Sequence, residues 1–321
     1  MKILITGAAG FIGFNFSKFL LENSKFEILG IDNLNNYYSQ KIKNARIKLL
    51  KKNRKFKFVK LDIKNKKKLK PIFNNRFYAV FHFAAQAGVR YSLKNPRAYL
   101  ESNIDGFFNI LEFIKDKKIK KFYYASSSSV YGDSKKFPLS ENDDIKPKNI
   151  YGLSKKNNEE TADLFFDNNQ ISAVGLRFFT VFGTWGRPDM LMFKYLKSFF
   201  NKNSKFFLNN YGNHIRDFTF IEDVNLILYK LLKKNIPSGN TLFNICSSNP
   251  IKITKILKLI DKNFINKPKI YKREFQKADV FKTHGNNYKI KKFLKKINFT
   301  NIEKAVYETT FWYKKNFKLF N

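Results

Sequence analysis

The stretch "KILITGAAGFIG" (2–13) constrains the fold more than any other part of the chain. A short apolar, partly β-branched run ends abruptly in glycines, and the residues from Phe11 to Asn23 then carry apolar side chains at helical spacing. Gly7 permits a tight turn, Gly10 lets backbone amides approach an anion unobstructed, and Gly13 lets the helix pack close to the strand. The helix start at Phe11, Ile12 and Gly13 then offers free amides and a positive dipole end to that anion. Asp32 closes the next apolar run about 20 residues on, where a carboxylate accepts both hydroxyls of an adenosine ribose and repels an added 2′-phosphate. The spacing is G-x-x-G-x-x-G rather than G-x-G-x-x-G. With a strand before it, a helix after it and an acid at this distance, it still points to a dinucleotide, NAD rather than NADP.

The remaining elements repeat the alternation. Strands are predicted over 26–32, 55–62, 78–85, 121–126 and 172–179, and helices from Pro96 to about Lys115 and over 151–166. Strands alternating with helices imply right-handed crossovers and a doubly wound parallel α/β sheet covered on both faces. Past residue 180 the pattern loosens, with helices predicted over 190–201 and 221–234, a strand over 240–245 and a helix from Ile253. The expected division is a dinucleotide-binding domain over 1–180, joined by a returning strand near 240–246, and a smaller α/β domain over 181–321.

The net charge of +37 raises the question of a nucleic-acid partner. Only nine of the 62 basic residues are arginines, however, and Asn, Ile and Phe are frequent too. That joint enrichment reads as compositional drift and solvated lysine faces, so no nucleic acid is expected. Where lysine is the default cation, an arginine marks a place that needs a flat two-pronged donor. Cys246 is the only cysteine, which rules out a disulfide within the chain. The opening strand leaves no room for a signal peptide, and no apolar run reaches about 18 residues, so no membrane insertion and a cytoplasmic location are expected. His214 and His284 have no second ligand at metal spacing, so no metal is expected.

"YGLSK" places Tyr151 and Lys155 four apart on one helix face. A phenol ionises near pH 10, and a nearby ammonium lowers that value. Tyr151 would then take a proton from a sugar hydroxyl while hydride leaves the same carbon. With the glycine turn, this pair makes the chain, from residue 1 to about 315, resemble the extended short-chain dehydrogenase/reductases that act on nucleotide sugars. In that family a Ser or Thr after the fifth strand assists the tyrosine. Counting back from "VYG" (130–132), Ser127 matches it within "ASSSSVYG". Members that dehydrate or decarboxylate the sugar typically carry an acid immediately before "VYG". Ser129 stands there instead, which implies reversible oxidation and reduction alone, hence an epimerase. The resemblance further implies cofactor contacts from Asn33, Asp62, Ile63, Phe83, Ala84, Ala85, Asn103 and Phe178. Asp62 would lie near the adenine, and Asn103 would support the active site.

"AAQAGVRYSLKNP" (84–96), "LRFFTVFGTWGRPDM" (176–190) and "YGNHIRDFTFIEDV" (211–224) are most similar to the UDP-glucuronate 4-epimerases. UDP-glucose 4-epimerases generally have Asn at the position of Thr180. Thr180 with Arg187 suits an anionic sugar, since a guanidinium meets a carboxylate with two parallel hydrogen bonds. Oxidation at carbon 4 makes the carboxylate β to a ketone, and such acids lose carbon dioxide when the breaking bond aligns with the carbonyl π system. Ser128, Ser129, Thr180 and Arg187 would hold it out of that alignment. The resemblance also implies that Arg216 contacts the UDP diphosphate and that Asp279 closes over the nucleotide; Arg90 is a further substrate candidate. Near Thr283 the family often reads T-x-A-D, whereas this chain reads "THGN", with Asn286 in place of an acid. A homodimer packed through the helices at 96–115 and 151–168 is implied. The alternatives are an epimerase of UDP-glucose or UDP-N-acetylglucosamine and, further off, a non-catalytic NAD- or RNA-binding protein, which would have no need of Tyr151, Lys155 and the serines together.

Overall fold

The computed structural model describes residues 1–117, 119–167, 170–201 and 203–320. Its strands are β1 (Lys2–Thr6), β2 (Glu27–Asp32), β3 (Phe56–Lys60), β4 (Ala79–His82), β5 (Lys121–Ser127) and β6 (Ser172–Phe178), followed by β7 (Thr180–Phe182), β8 (Phe206–Asn209), β9 (Ile215–Phe220), β10 (Gly239–Ile245), β11 (Pro250–Lys252) and β12 (Ile270–Arg273). Seven of them form one sheet in the order β10-β6-β5-β4-β1-β2-β3, and every pairing in it is parallel. β10 returns to the edge of this sheet beside β6.

Both faces of the sheet are buried, which is why its strands read as continuous apolar runs rather than alternating ones. Ile3, Ile5, Phe81 and Tyr123 face one layer; Leu4, Val80, Phe122 and Tyr124 face the other. The heavy phenylalanine content goes largely into this interior: the rings of Phe81 and Tyr123, opposite each other in register, stack 4.4 Å apart. The helix Phe11–Asn23 packs against the helix Ile221–Lys233, which ties the later part of the chain to the sheet.

The chain runs outward from β1 through β2 to β3, then crosses back to lay β4 on the other side of β1. That reversal opens a crevice at the carboxyl ends of β1 and β4, the place where doubly wound sheets bind ligands. The predicted strand over 78–85 stops at His82, because Phe83 and Ala84 turn off over the tip of β1; their amides donate to the Thr6 carbonyl (3.1 Å) and hydroxyl (3.1 Å). The helix predicted from Pro96 is a single rod of changing pitch. It runs Arg97–Tyr99 as α, Leu100–Asp105 as π, and Gly106–Asp116 as α again. The smaller elements form a three-stranded sheet, β11-β9-β7, and a two-stranded one, β12-β8. Of these strands β7 reaches the crevice, through Val181, and the loop after it brings Arg187 and Met190.

Candidate active site

The glycine turn meets its steric demands. Gly7 has φ +69°, and a Cβ there would lie 2.7 Å from the Ala84 nitrogen. A Cβ on Gly13 would lie 2.3 Å from the Gly7 carbonyl oxygen, so the helix reaches the strand only because that atom is missing. No side chain caps the Phe11–Asn23 helix at Gly10, which leaves its first amides facing the crevice. The Asp32 carboxylate accepts from the amides of Ala9 (3.1 Å) and Leu34 (2.8 Å). Burial pushes its pKa up, while these amides and the cations of Lys43 and Arg46 pull it down. Asn33 donates to Asp62 (3.0 Å), and Ile63, Phe83, Ala84, Ala85 and Phe178 complete the same lining. An open helix start, a half-buried carboxylate and an apolar wall fit a dinucleotide. Asn103 is a correction: it does not line the cleft but is buried behind it, accepting from the Gln86 amide (2.7 Å) and donating to the Gln86 carbonyl and Ser154 hydroxyl. It fixes the loop after β4, a place that supports the active site.

β5 delivers Ser127 to the middle of the cleft, and Asn149 caps the helix Ile150–Phe166 through the Gly152 amide (2.9 Å). That helix places Tyr151 and Lys155 in the same lining. Burial raises the Tyr151 pKa, while its hydrogen bond with Ser127 and the charge of Arg187 lower it. Ser127 and Arg187 thus both act on the phenol to lower its pKa, and Lys155 stands in the same lining. The Lys155 ammonium donates to the Ala125 carbonyl (2.8 Å). Burial brings its pKa down to about 8, against the pull of Glu159. Ser128 and Ser129 form a short 3₁₀ turn outside the cleft lining, and the Ser129 amide donates to the Ser127 oxygen (3.1 Å).

Arg187 lines the cleft, but its two-pronged edge is taken. Nε and Nη2 donate to the two oxygens of Asp189 (2.9 and 2.7 Å), and Asp189 also accepts from the Tyr37 hydroxyl (3.0 Å). The expected parallel pair with a sugar carboxylate on that edge is thus replaced by an internal one. Tyr37 and Asp189 were not foreseen; an acid two residues after an arginine in "RPD" was the available signal. Thr180, Arg90, Arg216 and Asp279 lie outside this lining. Thr180 opens β7, beside β9, and the last three form a second cluster. Arg90 makes a bidentate pair with Asp279 (3.3 and 2.5 Å). Arg216 donates to the carbonyls of Ile215, Val280 and Phe281, and burial lowers its pKa to about 10. Lys194 lies within electrostatic reach of both Arg187 and Arg90. Arg187, Lys194, Arg90 and Arg216 thus form a file of cations, each within electrostatic reach of the next.

Arg46 was also missed. It is wholly buried and donates to the carbonyls of Ala9 (2.8 Å), Trp185 and Gly186 (3.2 Å), so it links the glycine turn to the loop that carries Arg187.

A doubly wound sheet with this turn and a Ser-Tyr-Lys set defines a dinucleotide-dependent enzyme that moves hydride to and from an alcohol carbon. Residues 3–246 match the model of the NAD dependent epimerase/dehydratase family, and the chain belongs to that family. It is 39% identical over 323 residues to a UDP-glucuronate 4-epimerase of Thermodesulfobacterium geofontis, covering 98% of this chain and 97% of that one. It is 36% identical over 310 residues to UDP-glucuronate 4-epimerase 4 of Arabidopsis thaliana, covering 89% and 69%. Its fold matches the crystal structure of a Bacillus cereus UDP-glucuronic acid 4-epimerase in complex with UDP-glucuronic acid and NAD, with a TM-score of 0.89 and 29% identity over 98% of this chain and all of that one.

Proposed function

We propose that this chain is an NAD-dependent 4-epimerase that interconverts UDP-glucuronate and UDP-galacturonate. The observation that carries the uronate assignment is the file of cations from Arg187 to Arg216 beside the Ser127–Tyr151 pair. At the reacting sugar Asp189 offsets part of the Arg187 charge and Lys194 adds to it, and farther out Arg90 and Arg216 present positive charge where a diphosphate would lie. Arg90 pairs with Asp279, and Arg216 is within electrostatic reach of that same single carboxylate, which leaves an excess positive charge for that diphosphate.

NAD, when bound, takes up the hydride from carbon 4 and gives it back. The chain's own residues handle the proton. Tyr151 as phenolate accepts the proton of the 4-hydroxyl, held in line by Ser127, and returns it after the sugar has turned its other face. Ser127 and the neighbouring cation favour the phenolate against the cost of burial. Ser128, Ser129 and Thr180 are assigned to the sugar carboxylate, with the free Nη1 of Arg187. Arg90, Arg216 and Asp279 are assigned to the UDP half, which stays anchored during rotation. Residues 1–180 with β10 would hold the cofactor, and 181–321 mainly the sugar nucleotide.

We assign the assembly as a homodimer acting in the cytoplasm. Leu100, Phe108, Leu153 and Leu164 are exposed apolar residues on the helical segments 97–116 and 150–166, a face suited to a second copy. No helix among the described residues is long and apolar enough to cross a membrane.

NMR of UDP-glucuronate incubated with the protein and no added NAD tests the assignment. Appearance of UDP-galacturonate is the expected result. Turnover of UDP-glucose in preference to the uronate would transfer the function to a neutral-hexose epimerase.

A further inference from the structure

Three consecutive residues at the end of β5 are each tied to the helix Ile150–Phe166, one turn apart. The Ala125 carbonyl accepts from Lys155, the Ser126 hydroxyl donates to Glu159, and Ser127 lies close enough to Tyr151 to lower its phenol pKa. Tyr151, Lys155 and Ser127 have roles in the reaction; Glu159 has none so far. It is 1% exposed and forms a bidentate ion pair with Arg177, itself 2% exposed, at 2.9 and 2.8 Å. Arg177 stands in β6, behind the serines. Its Nη1 donates to the Tyr131 hydroxyl (2.9 Å) and the Glu141 carbonyl (3.2 Å), and Tyr131 donates on to Asn244 (2.7 Å).

The pair therefore grips the serine run from both sides. Glu159 holds Ser126 and Arg177 holds Tyr131, with Ser127, Ser128 and Ser129 suspended between them. A buried ion pair is weak evidence of added stability, since apolar residues of similar volume often serve as well. Glu159 also lies one helical turn from Lys155, a buried ammonium whose Nζ is given a carbonyl, but no carboxylate, to bond. In a low-dielectric interior that carboxylate favours the charged amine, against the opposing charge of Arg177 paired with it. His82 on β4 also faces Lys155, but its pKa is lowered to about 3 and it stays neutral.

We propose that Glu159 and Arg177 are positioning residues of the reaction: together they fix the serine run against Tyr151, and Glu159 places a carboxylate one helical turn from Lys155. The proposal rests on Tyr151 acting as the base.

Glu159→Gln alone strands the buried guanidinium, so the test uses the paired variant Glu159→Gln/Arg177→Met in the full chain with its bound cofactor. Four readouts are taken: thermal midpoint, NAD bound per chain, the pH profiles of kcat and KM, and the ultraviolet titration of the Tyr151 phenolate against Tyr151→Phe. The expected result is a folded protein that keeps NAD and KM while kcat falls about 10²-fold, the loss a 1 Å misplacement brings. The alkaline limb of kcat moves to lower pH by about one unit, and the Tyr151 phenolate forms at higher pH. Glu159→Asp restores the limb, because the charge remains, but not kcat, because the reach is shorter. A folded, NAD-bearing paired variant with wild-type kcat and pH profile overturns the proposal. So does a fall in kcat and thermal midpoint with the limb unmoved.

If the paired variant does not fold, Ser126→Ala/Tyr131→Phe cuts both grips and leaves the ion pair in place. About a tenfold fall in kcat is then expected, and an unchanged kcat overturns the proposal. The phenolate titration needs no sugar. Inactivity of the wild type on UDP-glucuronate would therefore sink the substrate assignment while leaving this test intact.

Discussion

The end of the cleft assigned to adenosine is made from strand tips, whereas the end assigned to the sugar is made from loops far apart in the chain. Asp32 ends β2, and Gly7, Asp62 and Ala84 follow β1, β3 and β4, so the register of the parallel sheet fixes them relative to one another. Arg187, Asp189 and Tyr37 come from two loops, and Arg90, Asp279 and Arg216 from three segments. What the sheet does for the first end, ion pairs and hydrogen bonds do for the second. A scaffold of this design can keep one cofactor and change its sugar by replacing a few side chains.

The two ends meet at Tyr151, and its substitution has the largest expected effect. Tyr151→Phe should lower kcat on the order of 10³-fold while NAD remains bound, because only the proton transfer is lost. A kinetic assay with the bound cofactor quantified beside it checks this. Near-normal turnover by the variant would remove the phenol from the mechanism. Gly13→Ala breaks the adenosine end alone. Its methyl would sit 2.3 Å from the Gly7 carbonyl, and such overpacking costs about 1–3 kcal/mol at the turn. NAD should no longer co-purify, and isothermal titration should show its affinity reduced by about 10- to 100-fold.

How much of each end can be read from sequence follows the same division. The glycine turn, Asp32, and the helix bearing Tyr151 and Lys155 are local patterns, so spacing alone located them. The sheet was legible because buried parallel strands are short apolar runs bounded by turns. The pairing of Arg187 with Asp189 and Tyr37 was not legible, because it depends on two loops brought together only by the folded sheet. Asn103 was misplaced for a related reason: a side chain that serves a ligand-binding loop is not distinguished by sequence from one that touches the ligand. The arginines were a useful clue in a lysine-rich chain. Arg46 and Arg177 are almost wholly buried, and Arg90 and Arg187 each make a bidentate pair.

The sugar end can be broken separately. Arg187→Ala should raise KM for UDP-glucuronate by about 10- to 100-fold, the worth of a hydrogen bond to a charged group. NAD should stay bound, and carbon dioxide loss to a 4-keto-pentose should appear by NMR. Asp189→Asn sharpens the point. It keeps the shape but gives Arg187 a weaker partner, freeing its two-pronged edge to swing. A change in KM of about tenfold, with kcat little altered, is expected from steady-state kinetics on the uronate. An effect on UDP-glucose of the same size would mean that Asp189 supports the loop and not the carboxylate.

Acid gives the mildest comparison, because one buried group in each region responds to it with opposite sign. His82, at the end of β4, is buried against Thr6, and burial lowers its pKa from 6.5 to about 3, with the Lys155 charge adding to the effect. The unfolded chain takes up that proton near pH 6.5 and the folded one does not. The stability His82 contributes is therefore present above pH 6.5 and is lost as pH falls towards 3. Asp217, in β9, is raised by burial from 3.8 to about 6, despite hydrogen bonds from Ser247 and Gly285. Here the folded chain holds the proton that the unfolded one releases. Its contribution is full below pH 3.8 and is lost as pH rises through 6. Between pH 7 and pH 5, His82 should cost about 2 kcal/mol and Asp217 should return about 1 kcal/mol. Denaturant titrations across that range should show His82→Asn flattening the wild-type loss and Asp217→Asn steepening it. The comparison rests on slopes rather than absolute stabilities, so any packing defect the substitutions introduce cancels. Parallel slopes for all three proteins would mean that neither buried group changes its protonation behaviour on folding.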